Sequence, residues 1–139
     1  MQNEEIIKQM REYAEENNVP IMMDDGMQFL LQYIYKNHVK KVLEVGTAIG
    51  YSAIMMCSID PELTVTTIER DEKRYLEALK NIKKAGLEER IEILYKDALE
   101  VDLEEVYDLI FIDAAKAQNQ KFFERFEENL SPKGTIITD

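Results

Sequence analysis

The stretch KVLEVGTAIGYSAIMMCSI (residues 41–59) changes the hydrophobic period of the chain and decides its fold. KVLEV is a short β-rich run, Gly46 stops it, and YSAIMMCSI reads as a short buried helix. Upstream, residues 3–18 set Ile6, Ile7, Met10, Tyr13 and Ala14 on one helical stripe. Pro20 breaks that pattern, and Asp24 or Asp25 can cap a second helix carrying Met27, Leu30, Leu31, Ile34 and Tyr35. Downstream, LTVTTIE is a second strand that ends at Glu69. Asp71 can cap DEKRYLEALKNIKKAG, a helix with Leu76, Leu79 and Ile82 inward and Gly86 as its stop. IEILYKD and YDLIFID are the third and fourth strands, AQNQKFFERFEENL a helix, SPKG a turn and TIIT a fifth strand.

Strand–helix alternation of this length predicts an α/β fold, a Rossmann-like, doubly wound parallel sheet with helices on both faces. The apolar runs VLEV, LIFI and TIIT are those expected of strands buried on both sides. Ligands of such sheets bind outside the carboxyl ends of the strands, where strand order reverses. The chemistry is therefore expected at residues 44–50, Glu69, Asp97, Asp113 and Asp139. The chain reads as one domain over 1–139, with N-terminal helices in 1–38 and the βα core in 39–139. It stops on Asp139 at a strand tip, with no helix to cover that strand, which predicts a fold truncated after its fifth strand.

In 139 residues, 45% are hydrophobic and 32% charged, enough apolar material for one core and unlike a disordered or disulfide-scaffold chain. The 28 acids outnumber 17 bases, for a net charge of −11 spread along the whole length. Such a surface repels phosphate backbones, so a nucleic-acid partner needs a local basic patch. Two candidate patches are Lys36, His38, Lys40, Lys41 and Lys73, Arg74, Lys80, Lys84. The single cysteine, Cys57, lies in an apolar run and reads as a buried structural thiol of a reducing compartment. MQNEEIIKQM carries no signal core, and no apolar run approaches the roughly 20 residues that cross a bilayer. A soluble cytoplasmic protein with no membrane partner is expected.

Glu44-Val45-Gly46-Thr47-Ala48-Ile49-Gly50-Tyr51-Ser52 closes the first strand and opens a helix, so backbone can approach a ligand closely. Its spacing is GxxxG, whereas a dinucleotide fingerprint reads GxGxxG. Glu69, at the end of the next strand, stands where an acid can accept both hydroxyls of an adenosine ribose. Asp97-Ala98 ends the third strand, where an acid can read the exocyclic amine of an adenine. Asp113 and Asp139 are expected at adjacent strand tips, about 5 Å apart across the ladder. Two carboxylates that close repel unless a cation or proton is shared, and hard oxygen ligands without His or Cys favour Mg²⁺ over zinc. Lys116 opens the next helix facing the same mouth, a position poorly matched to the helix dipole. The only histidine, His38, precedes the first strand and reads as a surface residue.

VLEVGTAIGYS, TTIERD, YKDAL and especially FIDAAK resemble the class I S-adenosyl-L-methionine-dependent methyltransferases, and within them the metal-dependent catechol and caffeoyl-CoA O-methyltransferases. The segment VPIMMDDGMQFL is similar to the entry of the bacterial tRNA 5-hydroxyuridine methyltransferase branch. The resemblance implies that Glu44 and Gly46 shape the methionine end of the cofactor site, with Ser52 and Met22 near it. It implies Glu69 at the ribose, Asp97 and Ala98 at the adenine, and Asp113 and Asp139 on Mg²⁺. The family's third metal ligand is an Asn directly after the second Asp, and this chain ends before it. Lys116 matches the family's lysine beside the accepting hydroxyl.

The implied reaction is a direct methyl displacement onto an oxygen that has a second oxygen beside it. Two acceptors fit: 5-hydroxyuridine in the tRNA anticodon region, at the wobble position, and a small catechol-like phenol. A nicotinamide-dependent dehydrogenase fits poorly, because the loop is GxxxG and no Tyr-x-x-x-Lys pair lies near the fourth strand. A non-catalytic cofactor-binding fragment is the remaining reading. The helix in 3–18 stands outside the alternation and reads as packed on the core, with an acceptor-site cover or a homodimer contact as alternatives.

Overall fold

A computed structural model describes residues 2–113 and 116–139, with side chains for 4–113 and 118–139. Five parallel strands, β1 (Lys41–Val45), β2 (Thr64–Glu69), β3 (Ile91–Tyr95), β4 (Tyr107–Ile112) and β5 (Leu130–Thr138), lie in the order β3-β2-β1-β4-β5. Strand order reverses between β1 and β4, as the alternation predicted, and the carboxyl ends of both point to one mouth. The helices are α1 (Gln2–Glu16), α2 (Asp24–Lys36), α3 (Tyr51–Cys57), α4 (Glu72–Lys84) and α5 (Lys116–Phe126). Alternate strand residues feed two cores. Val42, Val65, Leu109 and Phe111 pack with Met10, Leu30, Ile54 and Ile82 of the first four helices. Leu43, Val45, Ile68, Ile110 and Ile112 pack on the other face with Phe122 and Phe126 of α5. Among the described residues no helix is long and apolar enough to cross a membrane.

Most expected elements form, and the departures have physical causes. Residue Met23, with no side-chain cap bond, precedes α2, so neither Asp24 nor Asp25 is the cap. Both acids occupy the first turn, where their charge suits the helix N-terminus. Asp71 does cap α4, accepting from the Arg74 amide at 2.9 Å, and Gly86 follows that helix at φ +70°. The inward face of α4 is rotated from the expected one. Leu76 and Leu79 are 54% and 40% exposed, while Ala78, Asn81 and Ile82 are buried. Asn81 Nδ2 donates to the Ile49 carbonyl at 2.9 Å, giving a buried loop carbonyl its partner, and Ala78 is small enough to lie against Gly50. Tyr35, expected on the α2 stripe, is exposed.

The β5 strand corrects two expectations. SPKG lies inside the strand, where the register jumps from Tyr107↔Leu130 to Leu109↔Thr135 and the extra residues bulge out. Its residues are at best half-buried, unlike those of β1 and β4, because β5 is a sheet edge. Cys57 is buried, and burial pushes its thiol up to about 11, consistent with a structural role.

Candidate active site

The mouth is built at the β1–β4 switch point. Gly46 leaves β1 at φ +101° with its amide on the Ile68 carbonyl at 2.9 Å. A Cβ there would stand 2.4 Å from the Asp113 carbonyl oxygen, so only glycine lets β1 and the end of β4 approach this closely. Asp113 in turn donates its amide to Val45 at 2.9 Å, and Asp139 donates its amide to Ile112 at 3.0 Å. Since Ile112 pairs with Thr138, these two acids stand at neighbouring strand tips, as expected from the sequence. Burial, and then the charge of Asp139, raise the Asp113 carboxyl above its usual range.

Glu69 ends β2, is 7% exposed, and accepts the Ala48 amide at 2.8 Å and the Asp71 amide at 3.0 Å. Each carboxylate oxygen keeps a lone pair for a ligand. It lines a cavity of about 250 Å³ with Gly46, Arg70, Arg74, Lys96, Asp97, Ala98, Asp113 and Phe122. Asp97 is half-buried there and caps a 3₁₀ turn by accepting the Leu99 amide at 3.0 Å. An adjoining cavity shares Gly46, Glu69, Arg74 and Asp113 and reaches Asp139, Pro20 and Ile21. A third, narrow recess is walled by Met22, Thr47, Tyr51, Ser52 and Asp113. The predicted positions Met22, Gly46, Ser52, Glu69, Asp97, Ala98, Asp113 and Asp139 thus converge on one mouth. Lys116 begins α5 beside it, but its side chain lies outside the described residues.

Behind this wall lies Glu44, fully buried in β1. Thr67 Oγ1 donates to one of its oxygens at 2.7 Å and Ser52 Oγ to the other. When Glu44 is ionised Thr67 spends its proton on it, and Thr47 is then the donor in the 2.6 Å Thr47–Thr67 contact. Burial pushes the Glu44 carboxyl up to about 7 despite these bonds, and Asp113 and Glu69 add to the rise. The folded chain therefore holds a proton that the unfolded chain releases near its ordinary value of 4.5. This group's contribution to stability falls as pH rises through that window, by about 3 kcal/mol. Denaturant unfolding between about pH 5 and about pH 8 is expected to show that loss, and Glu44→Gln to flatten it.

The two basic clusters separate. Lys40 is paired with Asp60 and with Glu62 (3.6 Å), and Lys41 with Glu105 (2.6 Å), so that patch is largely neutralised. Lys80 lies 4.0 Å from Glu77, whereas Lys73, Arg74 and Lys84 have no ion-pair partner among the described residues. Arg74, with Arg70 and Lys96, stands at the mouth itself.

The family model described as O-methyltransferase matches residues 1–139. The chain belongs to the O-methyltransferase family. A catechol O-methyltransferase from Niastella koreensis is 36% identical over 70% of this chain and 47% of its own length. A caffeoyl-CoA O-methyltransferase from Populus kitakamiensis is 28% identical over 97% of this chain and 63% of its own. The chain spans between 45% and 63% of the length of the curated relatives it matches. Among solved structures, a provisionally named caffeoyl-CoA O-methyltransferase from Staphylococcus aureus superposes with a TM-score of 0.90 at 44% identity, covering 96% of this chain and 65% of that one. A Bacillus cereus O-methyltransferase in complex with SAH gives 0.84 at 30% identity, covering 97% and 66%.

In this O-methyltransferase fold several site residues carried no signal in the sequence. Arg70, Lys96, Phe122 and Gln118 reach the cavity only because β2, β3 and α5 converge. Thr47 and Thr67 are ordinary strand and loop residues until pairing brings them to Glu44.

Proposed function

We propose that residues 1–139 form an S-adenosyl-L-methionine-dependent O-methyltransferase domain acting on a hydroxyl that has a second oxygen beside it. One observation carries this reading: Glu69, at a strand end suited to a ribose, and the Asp113–Asp139 pair open onto the same mouth. Glu69 holds the ribose hydroxyls, while Asp97 and Ala98 face the adenine. Gly46, Ser52 and Met22 surround the methionine end, with Glu44 beneath it. The donor, when bound, supplies an electrophilic sulfonium methyl, and the chain's task is to exclude water and align the acceptor oxygen with it.

The residues fit a divalent cation. Among the described residues no cluster of three or more His, Cys, Asp or Glu could hold a metal, so the site offers two carboxylates. Mg²⁺ suits such a pair, because it keeps several waters and takes one or two carboxylates plus substrate oxygens. Asp113 and Asp139 would hold it, and when bound it lowers the pKa of the acceptor hydroxyl. Lys116, at the start of α5, takes the hydroxyl proton or steadies the oxyanion.

For the acceptor we assign 5-hydroxyuridine at the tRNA wobble position. The similarity of the Met22–Leu30 region supports it, as do the unpaired cations at the mouth of an otherwise acidic chain. A small catechol-like phenol is the second reading, favoured by relatives named for catechol and caffeoyl-CoA. Mass spectrometry of tRNA from a strain lacking the gene separates them. Loss of 5-methoxyuridine supports the tRNA reading. Unchanged 5-methoxyuridine sinks it and leaves catechol methylation by the purified chain as the expected activity.

A further inference from the structure

The N-terminal helix α1 has no part in the sheet, yet one of its side chains reaches Tyr51, a residue that lines the narrow recess. Its stripe of Ile6, Met10 and Ala14 is buried in the core, which fixes the helix on the body of the protein. Arg11 then extends sideways. Its Nη2 lies 2.8 Å and its Nε 3.1 Å from the Tyr51 hydroxyl, and the same Nη2 lies 2.9 Å from Asp24 Oδ1. Of these two partners, Tyr51 lines the narrow recess itself, and Asp24 lies two residues beyond Met22, which also lines it. Tyr51 is the first residue of α3, 2% exposed, and directly precedes Ser52, the donor to Glu44. Asp24 is the first residue of α2, separated by Met23 alone from Pro20, Ile21 and Met22, which line the recess.

The Arg11 and Asp24 side chains are 47% and 78% exposed, so their ion pair contributes little to folding, whereas the bonds from Arg11 give the buried Tyr51 its hydroxyl partner. What it fixes is geometry. A guanidinium presents several donors in a rigid fork, so it can hold a phenol and a carboxylate at once, which a lysine ammonium on a flexible stem does less well.

We propose that Arg11 is a positioning residue that clamps the 20–24 segment against the start of α3, and so sets the affinity for the amino-acid end of the methyl donor. The proposal rests on the reading that the recess takes that end of S-adenosyl-L-methionine. The hydroxyl of Tyr51 and the carboxylate of Asp24 are the two jaws, and both must be held for the recess to keep its shape.

Two measurements on the intact chain test it. Hydrogen exchange of the ligand-free protein reads the clamp itself. Arg11→Ala is expected to speed exchange at 20–27 and at 48–54 together, leaving the β1 and β4 amides protected. Calorimetric titration reads the consequence. Arg11→Ala, Tyr51→Phe and Asp24→Asn should each weaken S-adenosyl-L-methionine binding, by about ten-fold for Arg11→Ala. Arg11→Ala combined with Tyr51→Phe should lose no more than Arg11→Ala alone, because both changes release the same jaw. Arg11→Lys should share the defect. Unaltered exchange in either segment overturns the proposal, as does wild-type affinity in Arg11→Ala or in Asp24→Asn. If the wild-type chain binds no S-adenosyl-L-methionine, the methyltransferase reading fails, and the exchange data alone decide whether the clamp exists.

Discussion

Gly46→Ala is expected to destabilise the chain by about 4 kcal/mol, a large part of the stability of a domain this size. Two effects add. The residue sits at φ +101°, where an L side chain is strained, and its new Cβ would meet the Asp113 carbonyl oxygen at 2.4 Å. That neighbour is backbone held by its amide on Val45, so neither strand can yield without breaking the β1–β4 ladder that carries the site. Gly50→Ala is the control. Its φ of +90° also disfavours a side chain, but the added Cβ meets only Ala78, at an ordinary 3.6 Å. Urea unfolding should therefore show a loss of about 1–2 kcal/mol for Gly50→Ala and a clearly larger one for Gly46→Ala. Equal losses would contradict the close approach of Gly46 to Asp113.

Asp139→Asn is expected to lower methyl transfer by about a hundred-fold or more while the fold survives. The side chain is exposed at the tip of β5, so its replacement leaves no buried group unpaired. It would remove one of the two carboxylates proposed to hold a divalent ion and leave Asp113 as the only one. Binding of Mn²⁺, followed by electron paramagnetic resonance, should weaken with it, while the melting temperature stays near that of the parent. Unchanged Mn²⁺ affinity and unchanged turnover would remove Asp139 from the metal site.

Much of this architecture was legible in the chain because parallel sheets write themselves locally. KVLEV, TVTTIE and YDLIFI each carry their burial in their own composition, and Gly46, Glu69 and Asp113, at or just past their ends, line the mouth. Glu69, Asp113 and Asp139 could be placed at one mouth from strand order alone. Features set by distant contacts were not legible. The rotation of α4 depends on the Ile49 carbonyl needing Asn81, 32 residues away. Likewise, Arg11 meets Tyr51 across 40 residues, and no local pattern marks an arginine on an exposed helix edge as a bridge. The bulge around SPKG follows from how β5 registers on β4, which a turn-forming composition cannot distinguish from a true turn.

The acidity of the chain also acquires structure. Glu44, Glu69, Asp113 and Asp139 account for only part of it, and they gather around one mouth whose rim carries Arg70, Arg74 and Lys96. A net charge of −11 therefore hides a local mixture of signs at the place where chemistry is expected.

Calorimetric titration of the purified chain tests the proposal that this mouth takes the nucleoside and amino-acid ends of S-adenosyl-L-methionine. One site for S-adenosyl-L-methionine is expected, weakened about ten- to a hundred-fold by Glu69→Gln, with no heat from NADH. Binding of NADH without binding of S-adenosyl-L-methionine would contradict it.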